Sequence, residues 1–177
     1  MVVRQWTFVI GIAFAIGVGV GAQLPTRTVT PPSPPVSIGA FFTPGTECED
    51  RIIAELGRAT TVDIAVYSIT NPKIANAIIA AHRRGARVRI VTDRTMARHK
   101  SSMIDELVAA GIPVRTNRRH KIEHNKFAVF DNRHMVTGSY NWTTAATKYN
   151  SENCIFLTHP AQEYTKRFEV LWNIYKK

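Results

Sequence analysis

Between Ser37 and Tyr175 short strand-like runs alternate with amphipathic helical stretches, and this alternation restricts the chain to an α/β class, a mixed β-sheet flanked by helices. Ser37 to Phe42 reads as a strand, Thr46 to Ala59 as a helix capped near Thr46, and Val62 to Ile69 as a second strand. Asn71-Pro72 is a helix start: proline's fixed φ suits the first turn, Ile74, Ile78 and Ile79 supply an inward stripe, and Gly85 stops the helix. Arg87 to Thr92 follows as a strand whose arginines alternate with Val88 and Ile90, leaving one apolar face and one that can meet solvent or a polyanion. Ser101 to Ala110 reads as a helix ended by Gly111, and Pro113 to Thr116 as a short strand. Phe127 to Phe130 and Arg133 to Thr137 form a hairpin about an Asp131-Asn132 turn. A short turn or helix near Thr143 to Thr147, a strand from Glu152 to Thr158 and a helix from Ala161 to Tyr175 complete the domain. The stripe of Phe168 and Trp172 reads as core, and Tyr140 and Trp142 as packing residues. A chain of 177 residues has room for one such domain, spanning residues 37–177.

The segment before it is of another kind. Met1 to Ala22 carries a single early arginine, an apolar stretch from Phe8 to Val20 and small residues before Gln23, the layout of a secretory signal cleaved after Ala22. Left uncleaved, Thr7 to Ala22 would serve as a membrane anchor. Residues 23–36 contain Pro25, Pro31, Pro32, Pro34 and Pro35, an extended spacer. Export to the periplasm or the medium is the expectation.

Chemistry concentrates in one stretch, where His124, Lys126, Asp131, Gly138, Ser139 and Asn141 stand in the order H-x-K-x4-D-x6-G-S-x-N. Average residue frequencies give such a match by chance roughly once in 10^7 trials or fewer. A neutral imidazole can attack a phosphodiester, so His124 is the candidate nucleophile. A fixed ammonium and an amide suit the charge on the non-bridging oxygens, and Lys126 and Asn141 fill those roles. The Ser139 hydroxyl can orient a ligand or the Lys126 ammonium, and a glycine at 138 allows close backbone approach. Strand periodicity points His124 and Lys126 the same way and Asp131 the other way, so Asp131 belongs to the motif but is expected to hold a turn or an interface.

The charge balance agrees with a polyanionic partner: Lys and Arg number 23 against 13 acids, a net +10. Arg83, Arg84, Arg87, Arg89, Arg94, Arg98, Lys100, Arg115, Arg118, Arg119 and Lys121 cluster in the stretch that runs into His124, which reads as a track for backbone phosphates that ignores base sequence. Cys48 and Cys154 match no metal or redox spacing, and two buried free thiols are the expectation, with pairing open to an exported chain.

With these residues in view, the sequence resembles the phospholipase D superfamily, and within it the small single-motif bacterial endonuclease branch, Nuc-like. The likeness extends to Val62–Thr70, to Ala75–Ile90 and to the Asn-Ser-Glu-Asn run at 150–153, and covers about 37–177. The resemblance implies hydrolysis through a phosphohistidine, with neither metal nor cofactor, and an acid that supports the histidine, which by the Ser-Glu-Asn match is Glu152. In-line displacement needs a proton donor across from the nucleophile, and a second H-x-K occurs nowhere in the chain. A homodimer with one shared active site would supply the second histidine. The expected activity is sequence-non-specific endonuclease action on DNA, with RNA open. A phospholipase D acting on membrane phospholipids and a non-catalytic nucleic-acid-binding protein are the alternatives.

Overall fold

Seven strands form one mixed sheet in the computed structural model of the chain, which describes residues 38–158 and 161–176. The expected signal or anchor and the spacer lie outside the described residues. The strands are β1 (Ile38–Phe42), β2 (Thr61–Val66), β3 (Arg87–Thr92), β4 (Val114–Thr116), β5 (Lys126–Phe130), β6 (His134–Gly138) and β7 (Asn153–Thr158), in the spatial order β1-β7-β6-β5-β2-β3-β4. β2, β3 and β4 run parallel and every other neighbour pair is antiparallel. This is the mixed sheet that the alternation of elements predicts.

Helices α1 (Glu47–Arg58), α2 (Pro72–Arg83) and α4 (Ile104–Ala109) cover one face, where Ile52, Leu56, Ile74, Ile78 and Leu107 close over Val62, Ile64, Ile90, Ala128 and Phe130. α6 (Gln162–Ile174) covers the other, setting Phe168 and Leu171 on Ala65, Val91, Phe127 and Val129. With both faces covered, β5 is buried along its whole length, which is why it reads as a continuous apolar run. Local signals account for the boundaries of α2: Asn71 caps it by accepting from Lys73 N at 2.9 Å, Pro72 opens it, and Gly85 leaves it at φ +98°. Thr46 caps α1 by position but without a side-chain hydrogen bond. β2 ends at Val66 rather than Ile69, and the helix predicted from Ser101 starts only at Ile104. Two short helices, α3 (Arg94–Ala97) and α5 (Thr144–Lys148), sit in the connections. Tyr140 and Trp142 are buried in the first core, and Phe168 in the second.

The cysteines depart from the expectation of free thiols. Cys48 on α1 and Cys154 on β7 form a disulfide across 106 residues. The predicted elements carried no information on their distance; β7 lies beside β1 and under α1, and that packing joins them.

The basic track also changes. Arg89 pairs with Asp63 through two bonds of 2.8 and 2.9 Å and also reaches Glu169, while its guanidinium lies over Phe168 and Trp172. These carboxylates hold Arg89 above its ordinary range even though burial pushes the other way. Arg87 also pairs with Asp63, Arg84 donates to the carbonyls of Leu56 and Ala59, and Arg115 stacks on Trp172. These four arginines hold the fold together. A strand face that looks open in the sequence is covered by α6, which arrives from much later in the chain.

Candidate active site

The motif residues other than Asp131 converge at one end of the sheet, beyond the carboxyl ends of the parallel strands β2 and β3. Lys126 opens β5 opposite Val66, the last residue of β2, and Tyr67 N donates to Asn125 O at 2.8 Å. Beyond the hairpin, Gly138 closes β6 against Cys154 at φ +153°, and a Cβ there would meet Asn153 O at 2.2 Å, so no other residue fits. Ser139 N and Tyr140 N then both donate to Asn153 O at 3.1 Å, and Ser139 Oγ accepts from Asn153 N at 3.0 Å. Trp142 is tied to Ser68, Thr70 and Asn71, so Asn141 sits between two anchored residues.

His124, Lys126, Gly138, Ser139, Asn141 and Glu152 line a single open depression of about 390 Å³. His124 is exposed, with its ring edge-on to Tyr67 at 4.7 Å. The Lys126 ammonium lies 5.2 Å from the centre of the same Tyr67 ring and donates to His124 O at 2.7 Å. Burial lowers the Lys126 pKa below the ordinary lysine value, against the opposing pull of Glu152 and Glu123. Ser139 is engaged with Asn153 and not with Lys126, one of the two partners the sequence allowed it. The Asn141 amide oxygen is buried with no hydrogen-bond partner among the described residues. Glu152 joins the depression from the start of β7; its carboxylate accepts from Asn150 Nδ2 at 3.0 Å, and its main chain is clamped to Thr43.

Asp131 is set apart from this group, at the far end of β5. Its Oδ1 accepts from Thr60 N at 2.9 Å, Thr60 Oγ1 at 2.7 Å and Thr61 N at 2.8 Å. Burial pushes its carboxyl up, but these donors outweigh it and hold the pKa below the usual value. Asp131 and Asn132 both adopt φ 52°, the left-handed turn that Asp and Asn tolerate. Asp131, though part of the motif, thus stands outside the depression where the other motif residues meet, and it ties the hairpin turn to the start of β2, the turn-holding place that strand parity gives it.

Residues 52–172 match the family described as "Cardiolipin synthase, PLD-like domain". The chain belongs to the phospholipase D superfamily. Its curated relatives include "Mitochondrial cardiolipin hydrolase" of Chlamydomonas reinhardtii, 39% identical over 129 residues, and "Phospholipase D" of Rickettsia felis, 36% identical over 121 residues. These alignments take in 71% and 68% of this chain but only 58% and 60% of the relatives' own lengths. Among solved structures, the phospholipase D family member Nuc from Salmonella typhimurium superposes with TM-score 0.75 at 28% identity, covering 80% of this chain and 97% of Nuc. NucT from Helicobacter pylori, at 23% identity and TM-score 0.72 over 78% of this chain and 97% of its own, shares the fold.

For a member of this superfamily, the motif gave most of the depression, and what it left out is the support. Tyr67, Asp93, Glu123 and Tyr175 all hold the loop that carries His124. Tyr67 was within reach of sequence reasoning, because it directly follows the apolar run of β2. Asp93 and Tyr175 come from distant elements and gave no local signal.

Proposed function

We propose that this protein is a phosphodiesterase in which His124 is the nucleophile, and that its substrate is nucleic acid, DNA with RNA as a second candidate. The observation that carries this reading is the meeting of His124, Lys126, Ser139, Asn141 and Glu152 around one open depression. The imidazole attacks phosphorus, and a P–N bond forms as the bond to the leaving oxygen breaks and that oxygen takes up a proton. Water then cleaves the P–N bond and restores His124. Lys126 and the Asn141 amide stabilise the non-bridging oxygens, Ser139 orients the phosphate, and Glu152 is the acid that supports the histidine. No step calls on a metal or a cofactor.

In-line attack requires the proton donor on the opposite side of phosphorus from His124. Among the described residues, His124 is the one histidine that lines the depression. A homodimer that faces two depressions across its axis supplies the second, making one shared site from two chains. Sedimentation of the active protein as a monomer would exclude this arrangement.

Nucleic acid is favoured over lipid because cations that hold no core position remain on a segment tied to the loop leading to His124. Arg94, Arg98, His99 and Lys100 line a depression of about 540 Å³ on the loop after β3, and Arg94 N is bound to Asn117 Oδ1 of the loop leading to His124. A second reading, hydrolysis of a cardiolipin-type phospholipid, is favoured by the names of the curated relatives and by Ile122, which is 49% exposed two residues before His124. A non-catalytic nucleic-acid-binding role has only the basic surface in its favour. Export to the periplasm or the medium follows from the character of residues 1–22, and the disulfide suits an oxidising compartment.

The test is to incubate protein lacking residues 1–22 with supercoiled plasmid, with RNA and with cardiolipin vesicles at low salt in excess EDTA, alongside His124→Ala. Plasmid nicking by the wild type alone supports the nuclease reading. Turnover of vesicles but not plasmid transfers it to the phospholipid reading, and binding without turnover of any substrate would leave only the binding role.

A further inference from the structure

One buried carboxylate beside the site has no part in the chemistry above. Glu123 immediately precedes His124 and is 2% exposed, in a chain with a net charge of +10. An ionised group leaves water for such a position only when its oxygens are bonded. Tyr175 Oη donates to Glu123 Oε2 at 2.9 Å, and Asn125 donates to Oε1 from its main-chain N at 3.3 Å and from its side-chain Nδ2. Tyr175 is the cap of α6, and its hydroxyl also contacts His120 Nδ1, so the end of the C-terminal helix is held against the loop that enters β5.

The main chain here is anchored on both sides of His124, and at His124 itself the carbonyl is held by Lys126 Nζ. Before it, Glu123 N donates to Asp93 Oδ2 at 3.1 Å. After it, Asn125 O accepts from Tyr67 N at 2.8 Å, and Asn125 closes back on the Glu123 carboxylate. The Glu123–Asn125 bonds turn these three residues into a small ring that thrusts the His124 side chain outward, where it is exposed against Tyr67. Asp93 Oδ1 meanwhile accepts from Thr95 N and Met96 N, so the carboxylate that holds the histidine loop also shapes the segment bearing Arg94 and Arg98.

We propose that Glu123 is a positioning residue for the phosphodiesterase reaction: its buried carboxylate, secured by Tyr175 and Asn125, fixes the presentation of His124. The inference rests on the reading of His124 as nucleophile for its kinetic consequences, but its geometric part is independent of turnover. Burial works against the Lys126 ammonium, and Glu123 is one of two carboxylates that oppose this effect, so removing the Glu123 charge moves Lys126 further down.

The experiment compares the wild type with Glu123→Gln, Tyr175→Phe and the surface control Glu163→Gln. Glutamine keeps the shape and an acceptor for Tyr175 but loses the charge, and places an amide donor against Asn125. For Glu123→Gln the expected result is a kcat lower by roughly ten- to a hundredfold with KM within about twofold, an alkaline limb displaced to lower pH, and a cooperative thermal transition retained. Tyr175→Phe should lower kcat in the same sense by less, and Glu163→Gln should match the wild type. Independently of catalysis, NMR of labelled protein should show a lower titration midpoint for Lys126 and displaced His124 ring resonances in Glu123→Gln. Unchanged resonances and an unchanged Lys126 midpoint overturn the proposal whatever the activity. Changed resonances in Glu123→Gln, together with a wild type that cleaves no phosphodiester, would leave the positioning intact and overturn the catalytic reading instead. If Glu123→Gln does not fold, Tyr175→Phe, which leaves the carboxylate in place, carries the same comparison of His124 resonances, and their identity with the wild type would overturn the role of the clamp.

Discussion

Lys126 Nζ donates to the main-chain carbonyl of His124, two residues earlier, at 2.7 Å. The ammonium is thus tethered to the backbone of the residue proposed to attack phosphorus, and its distance from that backbone is set before substrate arrives. Lys126→Met should lower kcat by about 10^2- to 10^3-fold, the typical cost of losing one oxyanion donor. Lys126→Arg should recover little, since a planar guanidinium cannot occupy the ammonium's place. Because burial holds Lys126 below the ordinary lysine value of 10.5, the required ammonium is lost, and activity falls, as pH rises through that lowered value. A kcat profile still flat at pH 10.5 would contradict a catalytic role for the charged form.

The basic residues divide into two groups with different consequences. The triple variant Arg94→Ala, Arg98→Ala, Lys100→Ala should weaken DNA binding and reduce the slope of log K against log salt by roughly 0.9 for each phosphate contact removed. Arg89→Ala should instead destabilise the fold by about 1 to 3 kcal/mol, because it removes two of the bonds to the buried Asp63 carboxylate and leaves it to Arg87 alone, and should leave the slope unchanged. Fluorescence anisotropy across a salt series, with thermal melts, separates the two. A loss of slope in Arg89→Ala with an unchanged melting point would reverse the assignment.

Closing a loop of about 100 residues by a disulfide restricts the unfolded chain by on the order of 4 to 5 kcal/mol on chain-entropy grounds. Replacing Cys48 and Cys154 together by alanine should lower the melting temperature strongly, and reductant should do the same to the wild type but not to the variant. Equal melting with and without reductant, after confirmed thiol release, would mean that the crosslink contributes nothing.

Asp131 should influence stability and not chemistry. Asp131→Ala removes the acceptor of Thr60 and Thr61 and puts alanine at φ 52°, a loss of about 1 to 3 kcal/mol. The folded pKa is depressed, so the stabilisation is present above the unfolded carboxyl value and lost as pH falls through the folded one. Denaturant midpoints of the wild type and the variant should therefore converge in acid. The kcat per folded molecule at neutral pH should be unchanged, and a hundredfold fall would restore Asp131 to the catalytic group.

Arg89 and Cys48 show why parts of this structure were hidden from a reading of the chain in order. Arg89 alternates with Val88 and Ile90, so the sequence correctly places it on the face opposite the first core. Whether that face meets water or a helix depends on α6, more than seventy positions later, and α6 brings Glu169, Phe168 and Trp172 over it. Cys48 and Cys154 likewise lie in elements that the sequence predicts, yet only the placement of β7 between β1 and β6 sets them side by side.

Local chemistry by itself determined the period-2 and period-3.6 patterns, the Asn71-Pro72 start, the glycine stops, and the grouping of His124 with Lys126 and of Ser139 with Asn141, because each depends on residues within a few positions. The joining of those two groups into one depression, with Glu152 and without Asp131, was a tertiary decision, since it depends on hairpin register and on which end of β5 each residue occupies. The burial of Glu123 was of the same kind. A charged residue next to a motif reads as a solvated neighbour, and only the arrival of Tyr175 from the last helix supplies the bond that lets it remain inside.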